Sequence, residues 1–338
     1  MPSPTVAIVG ATGAVGRAMI HTLERHAFKY ERLRLMASAR SAGKVLTVGG
    51  QDITVEDLTT ASLEGIDIAL FSAGGSTSKQ WAPRFAQAGA VVIDNSSAWR
   101  MDDEVPLVVP EVNPGAIAQH KGIIANPNCS TIQMVVALAP LHEAVGIERV
   151  VVSTYQSASG AGQAGIDELM ADVHHALGQG EAPERAKFAH PLAFEALPHI
   201  DTFFESGYTR EELKMVHETR KIMGLPELQV SATCVRVPVK YGHSESVTVD
   251  LKAPLSVEQA RALFAQAPGV VVQDDPANNL YPLARRSQGQ DPTYIGRIRQ
   301  DLDRPNTLHF WVVADNVLKG AALNAVQIAQ HMTAQAPA

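Results

Sequence analysis

TVAIVGATGAVG, residues 5–16, decides how the chain begins to fold. A strand-like apolar run over residues 5–9 passes directly into Gly10, Gly13 and Gly16, and from there into helical spacing over 15–26. Strand, glycine turn and helix is the context a dinucleotide needs. The glycines let the main chain turn sharply and approach a pyrophosphate, whose charge then rests on free N–H groups at the helix start. The spacing is GxxGxxG rather than GxGxxG, so an ordinary glycine turn in an α/β protein is the competing reading.

Working outward, short apolar runs at 32–37, 66–73, 91–95 and 122–125 read as buried strands, and 78–88 spaces its apolar residues for one helix face. That alternation is the mark of a parallel sheet wound by helices, a Rossmann-type domain. The second strand ends in Ala37, Ser38, Ala39, Arg40 and Ser41, with no carboxylate for a ribose 2′-hydroxyl. An arginine flanked by two hydroxyls favours the 2′-phosphate of NADP, against the alternative of a solvated loop charge.

After Cys129 the runs lengthen and alternate, at 148–156, 229–239, 243–252 and 307–314, with helical patterns at 163–177, 209–223 and 256–267. Such runs suit a sheet covered on one face, often antiparallel or mixed. The expected fold class is α/β, with an NADP-binding domain (1–128 with 316–338) and an α+β catalytic and dimerisation domain with a mixed sheet (129–315). The Ala-rich helical stretch from Asn316 returns to the first domain in this reading, and 178–189 and 275–291, which collect Gly, Pro and charge, are expected to be mobile.

Bulk properties narrow the class. The chain has 338 residues, 46% of them hydrophobic and 19% charged, which favours two domains. A formal net charge of -7 argues against nucleic acid as a partner. No export signal precedes residue 5 and no run reaches the roughly 18 apolar residues of a membrane span, so a cytoplasmic, membrane-free protein is expected. Two cysteines, Cys129 and Cys234, make neither a disulfide framework nor a zinc site, and no metal is expected.

The chemistry gathers around one of them. In GIIANPNCSTIQM, Cys129 follows a strand and a Pro turn and opens a helical run over 130–145. There the helix dipole favours a thiolate and the same N–H groups can hold an oxyanion, although a lone Cys is as often a buried hydrophobe. Cys234, inside a strand, reads as a core thiol. His243 in GHSESV offers a proton carrier, and Arg236 in ATCVRVPV is a guanidinium on an apolar strand, costly unless it meets an anion or an internal salt bridge. Glu218 and Lys221 share a helix face, by spacing alone an ordinary ion pair, and Arg100 reads equally as an exposed charge.

Together the segments GATGAVG, ASARSAGK, IDNSSAWR, ANPNCSTIQM, STYQSASGAG, EELKMVHETRKI, ATCVRVPV, GHSESV and DNVLKGAALNAVQIA, in this order, resemble the aspartate-β-semialdehyde dehydrogenases, closest to the bacterial form. The resemblance implies that Cys129 carries the acyl group as a thioester, His243 is the acid/base and Gln156 orients the substrate. It implies Arg236 for the substrate carboxylate, Glu218 for its amino group, Arg100 with Lys221 for phosphate, and Asn128 beside the nucleophile. For NADP it implicates Gly10, Thr12, Gly13, Ala14, Val15, Ser38, Arg40, Ser41, Ser159, Gly160 and Asn316. The implied reaction is reduction of L-aspartyl-4-phosphate to L-aspartate 4-semialdehyde and phosphate, which feeds lysine, diaminopimelate, threonine and methionine biosynthesis, in a homodimer. Two rivals are N-acetyl-γ-glutamyl-phosphate reductase, against which Glu218 speaks because an acetylated nitrogen would leave it unpaired, and a non-catalytic NADP-binding paralogue, against which Cys129 and His243 speak.

Overall fold

A computed structural model describes residues 3–335. The chain packs as two compact units, one of the residues up to Asn128 with those from Ala321 onward, the other Cys129–Gly320.

In the first unit the elements are β1 (Thr5–Val9), α1 (Ala14–Arg25), β2 (Arg32–Ala37), β3 (Val45–Val48), β4 (Gln51–Thr54), β5 (Glu56–Asp57), β6 (Ile68–Phe71), α2 (Gly75–Gln87), β7 (Val91–Asp94), β8 (Ile123–Ala125) and the C-terminal helix Leu323–Gln335. Six strands form one sheet in the order β5-β2-β1-β6-β7-β8, every pairing parallel. Parallel strands covered on both faces need near-continuous apolar runs, and β6 is buried at every residue. Helix α1 buries Gly16, Met19, Ile20 and Leu23, the spacing of one helix face. Met19, Ile20 and Leu23 meet Ile8, Leu35 and Leu70 of the sheet and Val326 and Ala329 of the C-terminal helix in one core.

The second unit contains α3 (Cys129–Val145), β9 (Ile147–Gln156), α4 (Gln163–Ala176), α5 (Arg210–Met223), β10 (Gln229–Arg236), β11 (His243–Leu251), α6 (Val257–Gln266), β12 (Val270–Val272), α7 (Ala284–Ser287), β13 (Thr293–Gln300) and β14 (Thr307–Ala314). Its sheet runs β10-β9-β11-β14-β13-β12 and is mixed: β9/β10 and β12/β13 are parallel, the others antiparallel. The period-two pattern has its expected meaning here. Val150 and Val152 of β9, Val247 and Val249 of β11 and Phe310 and Val312 of β14 are buried together with Met134, Leu138 and Leu141 of α3. Between them, Tyr155 and Trp311 pair across the other face with ring centroids 5.2 Å apart.

Several details differ from the sequence reading. Residues 316–320 pack with the second unit: Asn316 accepts hydrogen bonds from Ser157, Ser159 and Gly242, and Gly320 N–H donates to the Asp315 carbonyl. The hairpin β3-β4 was not anticipated, because its strands are mostly exposed and carry little apolar alternation. Strand β13 was missed too. Its alternation is broken by a register shift between Gly296 and Arg299, with Arg297 in the left-handed region at φ 54. The segment 178–189 has no helix or strand, yet its last residues are fastened: Glu168 accepts from the N–H groups of Ala186, Lys187 and Phe188. Among the described residues no helix is long and apolar enough to cross a membrane.

Candidate active site

At the carboxyl edge of the parallel sheet, β1 gives way to the glycine turn. Gly10 sits at φ +88, and a Cβ there would lie 2.9 Å from the Ser72 carbonyl carbon; one on Gly16 would lie 2.2 Å from the Gly10 oxygen. Only glycine fits both places. Gly13 caps α1 without a side-chain bond, and the first turn, which includes Ala14 and Val15, holds no acid. Those helix-start N–H groups are therefore left for an anion, and the cradle fits a dinucleotide pyrophosphate. Gly10 N–H donates to the Met36 carbonyl at 2.8 Å, which brings the turn beside the end of β2. There Ser41 N–H closes a turn onto the Ser38 carbonyl, and Arg40 projects exposed. Further along the same edge Arg100 is buried, its Nε donating to the Asn126 carbonyl (2.9 Å) and its Nη2 to that of Asn95 (3.1 Å). Asn128, also buried, ends this unit.

In the second unit Cys129 is the first residue of α3 and half-buried. There the helix dipole favours the thiolate form of such a group. Gly320 lies against it: a Cβ on Gly320 would stand 2.7 Å from the Cys129 Cβ.

His243, the first residue of β11, is fully buried. Its Nδ1 accepts the Ser157 main-chain N–H at 3.1 Å and lies 3.0 Å from Ser157 Oγ. An Nδ1 that accepts leaves the ring proton on Nε2, which makes no hydrogen bond to another described protein group. Burial, reinforced by the positive charge of Arg236 and opposed by Glu211, lowers the imidazole to about 3, so the ring is neutral. Ser157 and Ser159 Oγ both donate to Asn316 Oδ1, at 3.2 and 3.0 Å, and Gly242 N–H donates to the same oxygen at 3.0 Å. The residues that the resemblance assigns to the nicotinamide end thus form the scaffold behind His243.

Arg236 ends β10, 6% exposed, with Nη1 donating to the Ser157 carbonyl at 2.6 Å. Burial works against its charge, and the negative charge of Glu211 is the largest influence in its favour, with a further one from the Cys129 thiol. Gly160 makes room for it: a Cβ there would meet Arg236 Nη1 at 2.8 Å and His243 Nε2 at 3.2 Å. Gln156, the last residue of β9, is buried, and its Nε2 donates to Glu211 Oε1 at 3.2 Å. Glu218 lies on the buried side of α5 with Glu211 and Met215, and Met215 in turn meets Thr131 of α3. Lys221, one turn after Glu218, is half-buried.

Sequence reasoning missed Glu211, Ser157 and Glu245. Glu211 reads as an ordinary acid in a helix's first turn. The role of Ser157 comes largely from its main chain, which no sequence pattern reveals. Glu245 had a signal: two residues after His243, it faces the same interior side of β11. It is fully buried, and desolvation raises its carboxyl well above the ordinary range. Cys234 is the core thiol expected of it, pushed up by burial.

This geometry has counterparts among known proteins. Residues 5–120 match the family model for the semialdehyde dehydrogenase NAD binding domain, and 138–319 that for the semialdehyde dehydrogenase dimerisation domain. Aspartate-semialdehyde dehydrogenase of Aquifex aeolicus is 58% identical over 328 residues, 96% of each chain; that of Bacillus subtilis is 52% identical over 334 residues, 97% of this chain and 96% of its own. The crystal structure of aspartate semialdehyde dehydrogenase II complexed with ASA from Vibrio cholerae superposes with a TM-score of 0.96 at 48% identity over 99% of both chains. The enzyme with NADP from Candida albicans superposes at 0.76 with 26% identity, over 98% of this chain and 99% of that one. With a parallel-sheet unit matched by the NAD binding domain, a mixed-sheet unit matched by the dimerisation domain, and this identity along nearly its whole length, the chain belongs to the aspartate-semialdehyde dehydrogenase family.

Proposed function

We propose that this protein interconverts L-aspartyl-4-phosphate with L-aspartate 4-semialdehyde and phosphate, using NADP, with the acyl group carried as a thioester on Cys129. The observation that carries the reading is the second unit's cluster: a thiol at the start of α3, a buried arginine that senses its charge, and a buried neutral histidine beside that arginine.

In the biosynthetic direction the Cys129 thiolate bonds to the acyl carbon as the bond from that carbon to the phosphate-bearing oxygen breaks, and phosphate leaves toward Arg100 and Lys221. Arg236 holds the α-carboxylate with the N–H groups not given to Ser157, Glu218 faces the amino group, and Gln156, steadied by Glu211, orients the acyl group. Asn128 adjoins the nucleophile. Gly10, Thr12, Gly13, Ala14 and Val15 hold the pyrophosphate, Ser38, Arg40 and Ser41 the 2′-phosphate, and Ser159, Gly160 and Asn316 the nicotinamide side. Bound NADPH supplies the hydride that takes the thioester to the aldehyde level. His243 presents Nε2–H to the acyl oxygen, lending it hydrogen-bond stabilisation as charge develops there. Main-chain N–H groups at the start of α3 are suited to the same task. Collapse of the hemithioacetal then returns the sulfur to Cys129 and frees the aldehyde.

Formation of NADPH from L-aspartate 4-semialdehyde and phosphate tests this. Turnover is expected with the wild type and none above background with Cys129→Ser; equal turnover with NAD would reject the NADP assignment, and none with either nucleotide would reject the reaction. The dimerisation-domain match supports a homodimer, consistent with a cytoplasmic metabolic enzyme, and a solution mass of a single chain would overturn it.

A further inference from the structure

The segment after α4 has neither helix nor strand, yet it is built into the site. Its attachment is two carboxylates one turn apart on α4. Glu168 accepts the N–H groups of Ala186, Lys187 and Phe188 at 3.1, 2.8 and 3.2 Å. Asp172 accepts Leu192 N–H at 2.8 Å and pairs with Arg185 through both of its oxygens, at 2.8 and 2.6 Å. Burial pushes the Asp172 carboxyl up, but Arg185 and the Leu192 N–H outweigh it, and the group stays charged below its usual range. Both carboxylates are almost fully buried, where an unpaired charge would be costly, so the segment and α4 hold each other.

That attachment delivers one side chain. Phe188 is buried in a small cluster with Ala158, Ile166, Leu169 and Leu197, and its ring faces Arg236, with the guanidinium carbon 5.8 Å from the ring centroid. The guanidinium is thus bounded by the Ser157 carbonyl, by Gly160 and by this ring. A cation held against a ring face keeps its plane, and a planar fork binds a carboxylate well only when it is held in place.

The geometry points to Phe188 as a specificity-determining residue: it is the wall that fixes where Arg236 receives the substrate carboxylate, and therefore how long a chain can reach from that carboxylate to Cys129. Glu168 and Asp172 are the positioning residues that hold the wall. This rests on the proposed role of Arg236 as the carboxylate binder and extends it to chain length.

The test is steady-state kinetics on the full-length protein with L-aspartate 4-semialdehyde, phosphate and NADP. The longer chain is probed with 5-oxopentanoate as a competitive inhibitor, since the amino-bearing homologue cyclises. Phe188→Ala is expected to raise KM for the semialdehyde about tenfold, with kcat within about threefold, and to tighten inhibition by 5-oxopentanoate about tenfold, the scale of one methylene in a shaped pocket. Phe188→Leu, which keeps bulk without the ring, recovers most of the discrimination, and Glu168→Ala reproduces the Phe188→Ala pattern. A loss of kcat at unchanged KM, or unchanged KM and inhibition, in Phe188→Ala overturns the proposal; if Phe188→Ala does not fold, Glu168→Ala is read by the same criteria. Arg236→Lys separates the two layers. If it raises KM while neither Phe188 variant does, the wall alone is wrong; if it leaves KM unmoved, the carboxylate role of Arg236 is wrong.

Discussion

Glu245 shows what a single side chain does to this fold. It sits two residues beyond His243 on β11, fully buried, and is held neutral by desolvation. Its pKa is raised on folding, so its contribution to stability is complete below the unfolded value, near 4.5, and is lost as pH rises toward the folded one. Above the unfolded value the unfolded chain ionises while the folded one does not, at about 1.4 kcal/mol per pH unit for one group. Glu245→Gln keeps the shape and removes the titration. In denaturant melts the variant is expected to gain on the wild type as pH rises above about 5, and parallel curves would contradict a raised Glu245 carboxyl. His243 has the opposite sign. Its folded value is depressed to about 3, so the stability it contributes is present above the unfolded value near 6.5 and falls away with acid.

At the scale of elements, the sequence was most readable where a local signal and a buried face agree. Helix α5 is an instance: Thr209 and Glu212 form a capping box at its start, Gly224 closes its end in the left-handed conformation, and the reading of 209–223 differs from the structure only by counting the cap. Strand β10 stops at Arg236, short of the expected 239, because Pro238 cannot donate to a ladder. Strands β3, β4 and β5 were illegible because they are short and lack a buried face to impose alternation. The segment 178–189 misled for a different reason. Its Gly, Pro and charges read as loop, and loop it is, but what fixes it is a pair of carboxylates on another element, a relation that local composition does not contain.

For the whole molecule, the change from buried parallel strands to longer alternating ones after Cys129 was enough to separate the two kinds of sheet. It did not fix where the chain returns, because residues 316–320 continue the helical pattern while Asn316 is bound by Ser157, Ser159 and Gly242. The places of Cys129 and His243, the residues at the ends of the proposed chemistry, could be read locally, since one opens a helix and the other a strand. The layer behind His243, Gln156 and Arg236, made of Ser157, Glu211 and Phe188, exists only once β9, α5 and the segment after α4 have been brought together. In the proposed reaction this assembly carries an acyl group on one sulfur. The most direct measurement is peptide mass spectrometry of the protein quenched in acid after mixing with L-aspartyl-4-phosphate in the absence of reduced nucleotide. The expected result is an aspartyl adduct on the Cys129 peptide that hydroxylamine removes and NADPH discharges; an unmodified Cys129 in protein that still turns over, or an adduct on another residue, would contradict it.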